Sequence, residues 1–149
     1  MARSGLGASG QKNPSAGHPA AIKLTGCGKT ILVVEDDLAI QSLVTKYLKR
    51  LGYTPLKAES AAEALDIWAK RHEDIDLLLT DLMMPNGMTG LDLLHAARAE
   101  RPDLKVVLTS GYPAQVIEQR VVPQLDAPLL SKPYRKRLLA LALRRALES

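Results

Sequence analysis

The stretch Ile75-Asp76-Leu77-Leu78-Leu79-Thr80-Asp81 constrains the fold of this chain more than any other. A run of leucines bounded by polar residues suits a strand buried on both faces, as in the interior of a parallel sheet. In an open parallel α/β sheet, ligands bind just beyond the carboxyl ends of the strands. A strand ending on Asp81 therefore brings a carboxylate to the rim of a crevice. Taken alone, an aspartate after a strand is an ordinary turn residue. Its meaning depends on what the other strands carry to the same rim.

The rest of the chain repeats the pattern of short apolar run, polar stop and amphipathic stretch. Ile31-Leu32-Val33-Val34 is a β-branched and aliphatic strand that stops on Glu35-Asp36-Asp37. Ile40, Leu43, Val44, Tyr47, Leu48 and Leu51 then recur at helical spacing, and Gly52 is a plausible stop. Residues 54–58 read as a short strand interrupted by Pro55. Ser60-Ala61-Ala62-Glu63 has the form of a capping box and opens a helix with Ala61, Ala64, Leu65 and Trp68 on one face. After Asp81, residues 90–101 read as a helix with Leu91, Leu94 and Ala97 inward, ended by Pro102. Residues 105–108 form a strand closed by Thr109-Ser110-Gly111-Tyr112-Pro113. A weak helix over 114–122 leads into irregular chain marked by Pro123 and Pro128. Pro128-Leu129-Leu130 enters a last strand closed by Ser131-Lys132-Pro133. A final helix over 135–147 turns Leu139, Ala142, Leu143 and Ala146 inward. Five strands alternating with five helices describe a parallel sheet covered on both faces.

Composition narrows the function classes. The net charge of +4 sits entirely in residues 1–29, which hold Arg3, Lys12, Lys23 and Lys29 and no acid. The remainder is neutral, so charge gives no support for nucleic-acid binding. Residues 1–29 also hold six of the ten glycines and show no periodicity, which is the composition of a flexible linker or tail. Residues 30–149 would then form one domain. A single cysteine, Cys27, excludes an internal disulfide and suits a reducing, cytoplasmic compartment. No apolar run reaches the roughly 18 residues a membrane span needs, so no membrane contact is expected. Gly28-Lys29-Thr30 resembles the tail of a phosphate-binding loop. Such a loop must follow a strand and open a helix, and here the strand comes after it. An NTP-using enzyme built on Lys29 and Asp81 is the weaker alternative. A purely structural interaction domain, in which Asp81→Asn is silent, is weaker still.

Four strand ends thus bring Glu35 and Asp36, Asp81, Thr109 or Ser110, and Lys132 to one edge. Carboxylates crowded together repel and call for a cation between them. A hard, oxygen-seeking ion such as Mg²⁺ suits carboxylates plus a phosphoryl oxygen. An ionised aspartate held by metal is a competent nucleophile toward phosphorus. Phosphoryl transfer needs charge neutralisation and alignment more than acid–base chemistry. Lys132 as a point charge and a hydroxyl as donor would hold the phosphoryl oxygens.

From Thr30 to Leu147 the chain resembles the receiver domain of two-component response regulators. The motifs that carry the resemblance are Ile31-Leu32-Val33-Val34-Glu35-Asp36-Asp37, Asp81-Leu82-Met83-Met84-Pro85, Gly90-Leu91, Val107-Leu108-Thr109-Ser110-Gly111-Tyr112 and Lys132-Pro133. The resemblance implies a flavodoxin-like (βα)5 doubly wound parallel sheet of order 2-1-3-4-5. It implies that Asp81 takes a phosphoryl group from a phosphohistidine on a histidine kinase or phosphotransfer domain. Mg²⁺ would be bound by Glu35, Asp36, Asp81 and the backbone carbonyl of Met83. Ser110, rather than Thr109, matches the family's hydroxyl position, and Lys132 would contact the phosphoryl group. The Lys132–Pro133 bond is expected to be cis. Such a domain catalyses only its own phosphorylation and dephosphorylation. By the same resemblance Met83 and Tyr112 would flank the site, at positions that in this family tune the second step. Three departures stand out. The loop 85–90 is one residue longer than the common form, the aromatic switch position holds Leu129, and 113–128 is irregular. The long loop and the Ser-Gly-Tyr run resemble receivers of hybrid sensor histidine kinases, with a free-standing single-domain regulator as the second context.

Overall fold

The computed structural model describes residues 27–83, 89–111 and 128–148. Its elements in chain order are β1 (Thr30–Val34), α1 (Leu38–Arg50), β2 (Thr54–Ala58), α2 (Ala61–Arg71), β3 (Leu77–Asp81), α3 (Gly90–Glu100), β4 (Lys105–Ser110), β5 (Leu129–Ser131) and α4 (Lys136–Glu148). All strand pairs are parallel, in the order β2-β1-β3-β4-β5. This is the flavodoxin-like 2-1-3-4-5 arrangement. The weak helix expected over 114–122, the loop 85–88 and Tyr112 lie outside the described residues.

The core explains why the strands read as continuous apolar runs. Side chains alternate across a strand, and each face of this sheet is covered. Leu32, Val34, Leu78, Val106 and Leu108 pack on one side with Trp68 of α2 and Leu93, Leu94 and Ala97 of α3. Ile31, Val33, Leu77, Leu79 and Val107 pack on the other with Val44 and Leu48 of α1 and Leu139 and Leu143 of α4. Pro55 does not break β2, because β2 is an edge strand and its missing N–H costs no ladder bond.

The helix ends follow local chemistry with instructive exceptions. Asp37 caps α1, its Oδ1 accepting from Ala39 N and Ile40 N at 3.0 and 3.2 Å. Gly52 follows at φ +89°, where a side chain would be strained, so α1 stops as expected. The expected box at Ser60 is only half formed. Ser60 Oγ accepts from Glu63 N, but Glu63 Oε1 accepts from Glu59 N, one residue too early. A complete box stands instead at α3, between Thr89 and Asp92. Within the helices, Leu43 lies outward at 45% exposure, whereas Leu93, not expected inside, is fully buried. α4 has no acid in its first turn and begins with Lys136 and Arg137 directly after Arg135. Cations there oppose the helix dipole, by about 0.3–1 kcal/mol each for an exposed charge.

The pole at the amino ends of the strands is tied tightly. Thr30 N donates to Asp76 Oδ2 at 2.7 Å, and Asp76 N donates to Thr30 O. Arg101 donates to the carbonyls of His72 and Ile75, both at 2.6 Å, and Trp68 Nε1 donates to Glu100. These bonds hold the α2–β3 connection that launches the strand ending on Asp81. Replacing Thr89 with Ala removes one half of the α3 box and should cost about 1 kcal/mol. Denaturant unfolding should show that loss, and the same change at Ser60 should cost no more.

Candidate functional site

Asp81, Glu35 and Lys132 reach the site from β3, β1 and the turn after β5. Asp81 is the last residue of β3 and is buried, with 6% exposure. The strand end therefore sits just below the surface. Glu35 follows β1 and is equally buried, while Asp36 and Asp37 are exposed. One carboxylate oxygen from each of Glu35, Asp36 and Asp81 lies within 4.8 Å of the other two. Lys132 Nζ bridges the two buried acids, at 2.5 Å from Glu35 Oε1 and 2.8 Å from Asp81 Oδ2. The Lys132–Pro133 bond is cis.

Each group is held from its backbone. Asp81 Oδ1 accepts from Met83 N at 3.2 Å, and Glu35 Oε2 accepts from Asp37 N at 3.1 Å. The main chain of the acidic turn is fastened by Gln41, whose Nε2 donates to the carbonyls of Glu35 and Ala58. Lys132 N donates to Ser110 O at 2.7 Å, tying the lysine turn to the end of β4. Thr109 and Ser110 are both buried. Thr109 is the register partner of Asp81, and Ser110 lies one residue nearer the rim. Leu82 N donates to Thr109 O at 2.8 Å, extending that register beyond Asp81.

Burial and charge act against each other here. Burial holds the Glu35 carboxyl above its ordinary value, and the hydrogen bond from Lys132 only partly offsets it. Burial alone would lower Lys132, but its bonds to Asp81 and Glu35 outweigh that and keep it above 10.5. Burial, then the charges of Glu35 and Asp81, push the Tyr134 phenol well up, so it stays neutral.

The donor set fits a hard cation. Oxygen ligands at about 2.0–2.1 Å from Mg²⁺ are separated by roughly 3 Å when adjacent and 4.2 Å when opposite. The three carboxylate oxygens all lie within 4.8 Å of one another, comparable with the wider of those spacings. Met83 N holds Asp81, and the Met83 side chain is about half exposed.

Lys29 is not brought to the site. It precedes β1, and the strand separates it from the acids by about 17 Å at ~3.3 Å per residue. Gly28 N donates to Gly52 O at 2.7 Å, so that amide is committed to the fold and cannot cradle a phosphate. The reading that combined Lys29 with Asp81 is thereby overturned by geometry.

Two contributors escaped the sequence reading. Gln41 is a polar residue on the buried stripe of α1, beside Val44 and Leu48, and that misplacement was its only signal. Gly90 stood out only as part of a motif. A Cβ built there would lie 2.0 Å from the Asp81 carbonyl oxygen, so α3 starts against the backbone of the acidic strand end. Gly90 N also donates to Leu82 O at 3.0 Å.

Comparison with known proteins comes to the same place. The profile of the response regulator receiver domain matches residues 31–144. Sensor kinase CckA of Brucella abortus is 32% identical over 119 residues, covering 80% of this chain but only 12% of CckA. Response regulator receiver protein CpdR of the same organism is 34% identical over 109 residues, covering 73% of this chain and 88% of CpdR. Among solved structures, response regulator TrrA of Thermotoga maritima, in complex with Mg²⁺–BeF, superposes with a TM-score of 0.69 at 28% identity. That match covers 80% of this chain and 99% of TrrA.

Two outcomes are expected. Gly90→Ala should displace the Asp81 backbone and lower stability in denaturant unfolding, by more than Ala at exposed Asp92 does. The stabilisation from Lys132 should be complete below its unfolded value of 10.5 and fade as pH rises through its higher folded value. The stability gap between wild type and Lys132→Met, measured by denaturant unfolding, should therefore be level near neutrality and shrink at strongly alkaline pH. A gap that widened there would contradict the pairing.

Proposed function

Because the chain belongs to the response regulator receiver domain family, we propose that Asp81 is its phosphoacceptor. The observation that carries this reading is the contact of Lys132 Nζ with Asp81 Oδ2 at 2.8 Å beside a carboxylate trio. Receiver domains of two-component systems take a phosphoryl group onto aspartate and bind Mg²⁺ in an acidic pocket. In this chain Glu35, Asp36, Asp81 and the Met83 carbonyl would hold the ion, which supplies charge neutralisation at the phosphoryl oxygens. Residues 30–149 are read as the receiver and 1–29 as its linker.

The step is an in-line displacement. An Asp81 carboxylate oxygen attacks phosphorus, the P–N bond of a phosphohistidine breaks, and its electron pair returns to the imidazole. The product is an acyl phosphate on Asp81. The Lys132 ammonium, already on Asp81 Oδ2, is placed to follow the phosphoryl oxygens as charge moves outward. Ser110, one residue nearer the rim than Asp81, is the proposed hydroxyl donor. The new dianion adds nearly two negative charges at one end of the sheet, enough to shift a balance between loop arrangements.

The donor is a histidine kinase or a histidine phosphotransfer domain. The hybrid-kinase context is supported by the likeness to CckA. A free-standing regulator is the second reading, supported by the match along most of CpdR. Among the described residues no helix is long and apolar enough to cross a membrane.

Incubation with acetyl phosphate and Mg²⁺ should add one phosphoryl mass, removed by hydroxylamine. Asp81→Asn should abolish it, Lys132→Ala should lower it at least a hundredfold, and Ser110→Ala should slow it more than Thr109→Val. Labelling that persists in Asp81→Asn at the wild-type level rejects the assignment.

A further inference from the structure

Gln41 sits on the buried stripe of α1, 7% exposed and in line with Val44 and Leu48. An apolar side chain there would extend the core at no polar cost, so a buried amide needs partners to offset its loss of water. It finds them at the ends of two strands. Nε2 donates to Glu35 O at 3.2 Å and to Ala58 O at 3.0 Å. Ala58 O also accepts from Glu35 N at 3.0 Å, the last bond between β1 and β2. The main chain of the same glutamine donates from N to Asp37 O at 2.9 Å. One residue therefore holds the carbonyls on both sides of Asp36, one through its side chain and one through its backbone.

That turn is where the three acids are held least alike. Glu35 is buried, and its carboxylate accepts from Lys132 and from Asp37 N. Asp81 is buried and accepts from Lys132 and from Met83 N. Asp36 is exposed, so the place of its carboxylate is set through its main chain. The peptide that joins Glu35 to Asp36 leaves the sheet at the end of β1, and its carbonyl is the one that Gln41 holds. A swing of that peptide would carry the Asp36 carboxylate away from the other two, with which it now lies within 4.8 Å.

Hard cations differ in how much of such movement they tolerate. Mg²⁺ demands near-ideal octahedral spacing at about 2.0–2.1 Å, whereas Ca²⁺ takes oxygens at about 2.3–2.6 Å in variable geometry. A loosened turn penalises the small ion more than the large one. We propose that Gln41 is the positioning residue that sets the preference of this site for Mg²⁺ over Ca²⁺, by fixing the main chain on either side of Asp36. The inference rests on the metal site proposed above and adds the buried group, outside the ligands, that selects the ion.

The test is a titration of the full chain with Mg²⁺ and, separately, with Ca²⁺, followed by NMR at the amides of Asp37 and Met83. Gln41→Met keeps the length and the apolar packing of the side chain and removes both donated bonds. It should bind Mg²⁺ about tenfold more weakly than wild type, with Ca²⁺ affinity changed less than about twofold. Before any ion is added, the ¹³C resonance of the Glu35 carbonyl should move in this variant. Val44→Ala, a neighbour on the same stripe with no bond to the acidic turn, supplies the comparison for lost stability. Its ratio of Mg²⁺ to Ca²⁺ affinity should stay at the wild-type value whatever its Tm, and the Glu35 carbonyl should not move. Gln41→Asn keeps an amide but withdraws it by one methylene, and it should shift the ratio in the same direction even where Gln41→Met does not fold. Equal losses for both ions, no loss for Mg²⁺, or the same change of ratio in Val44→Ala would overturn the proposal. Wild type that binds neither ion would overturn the metal site itself and this inference with it, whereas wild-type binding with an unchanged ratio in the Gln41 variants overturns the inference alone.

Discussion

The Lys132 ammonium, shared between Glu35 and Asp81, is the interaction on which the rest of this structure depends. Both acids are almost fully buried, and the lysine side chain is only 15% exposed. Two carboxylates in so little water would be costly without a cation between them. Bringing one there requires three strands in register. β1 carries the acidic turn, β3 ends on Asp81, and β5, through the backbone bond of Lys132 to Ser110, carries the lysine. The parallel sheet is the device that makes these distant parts of the chain neighbours.

Much of that arrangement was legible in the sequence, for a physical reason. A strand buried on both faces must be apolar along its whole length, so its first polar residue marks the rim. Glu35, the first polar residue after β1, stands where that rule puts it, while Asp81 and Lys132 each come one residue later, after Thr80 and Ser131. Helix faces were harder. Leu43 kept the period of the α1 core yet faces outward, because an apolar stripe can extend beyond the core into a groove. The close approach of Gly90 to the Asp81 carbonyl depends on how α3 is docked, which no local pattern encodes. Gln41 bonds two carbonyls from different strands, a relation visible only when those strands are side by side. That Thr109 stands beside Asp81 follows from the pairing of β3 with β4 rather than from β4 itself.

The two poles of the molecule divide the work. At the amino ends of the strands, polar groups are spent on structure, as with Asp76 on Thr30 and Arg101 on two carbonyls. At the carboxyl ends, acids are crowded and cations stand against a helix dipole. The first pole is locally consistent and the second is strained electrostatically. That contrast is what separates a scaffold from a site, and it explains why Lys29, however suggestive beside Gly28, belongs to the scaffold.

The Lys132 ammonium lies on two of the three acids proposed to hold Mg²⁺, so the two cations would repel each other across the site. At a separation of about 6 Å, a charge of +1 opposes one of +2 by roughly 1.4 kcal/mol even at the dielectric constant of water, a tenfold change in affinity. The direct measurement is Mg²⁺ titration by calorimetry on wild type and Lys132→Ala. Tighter binding by the variant, by about tenfold, is the predicted result. Equal or weaker binding would show that the Lys132 charge does not oppose the ion and would contradict its role as the cation shared by the two acids.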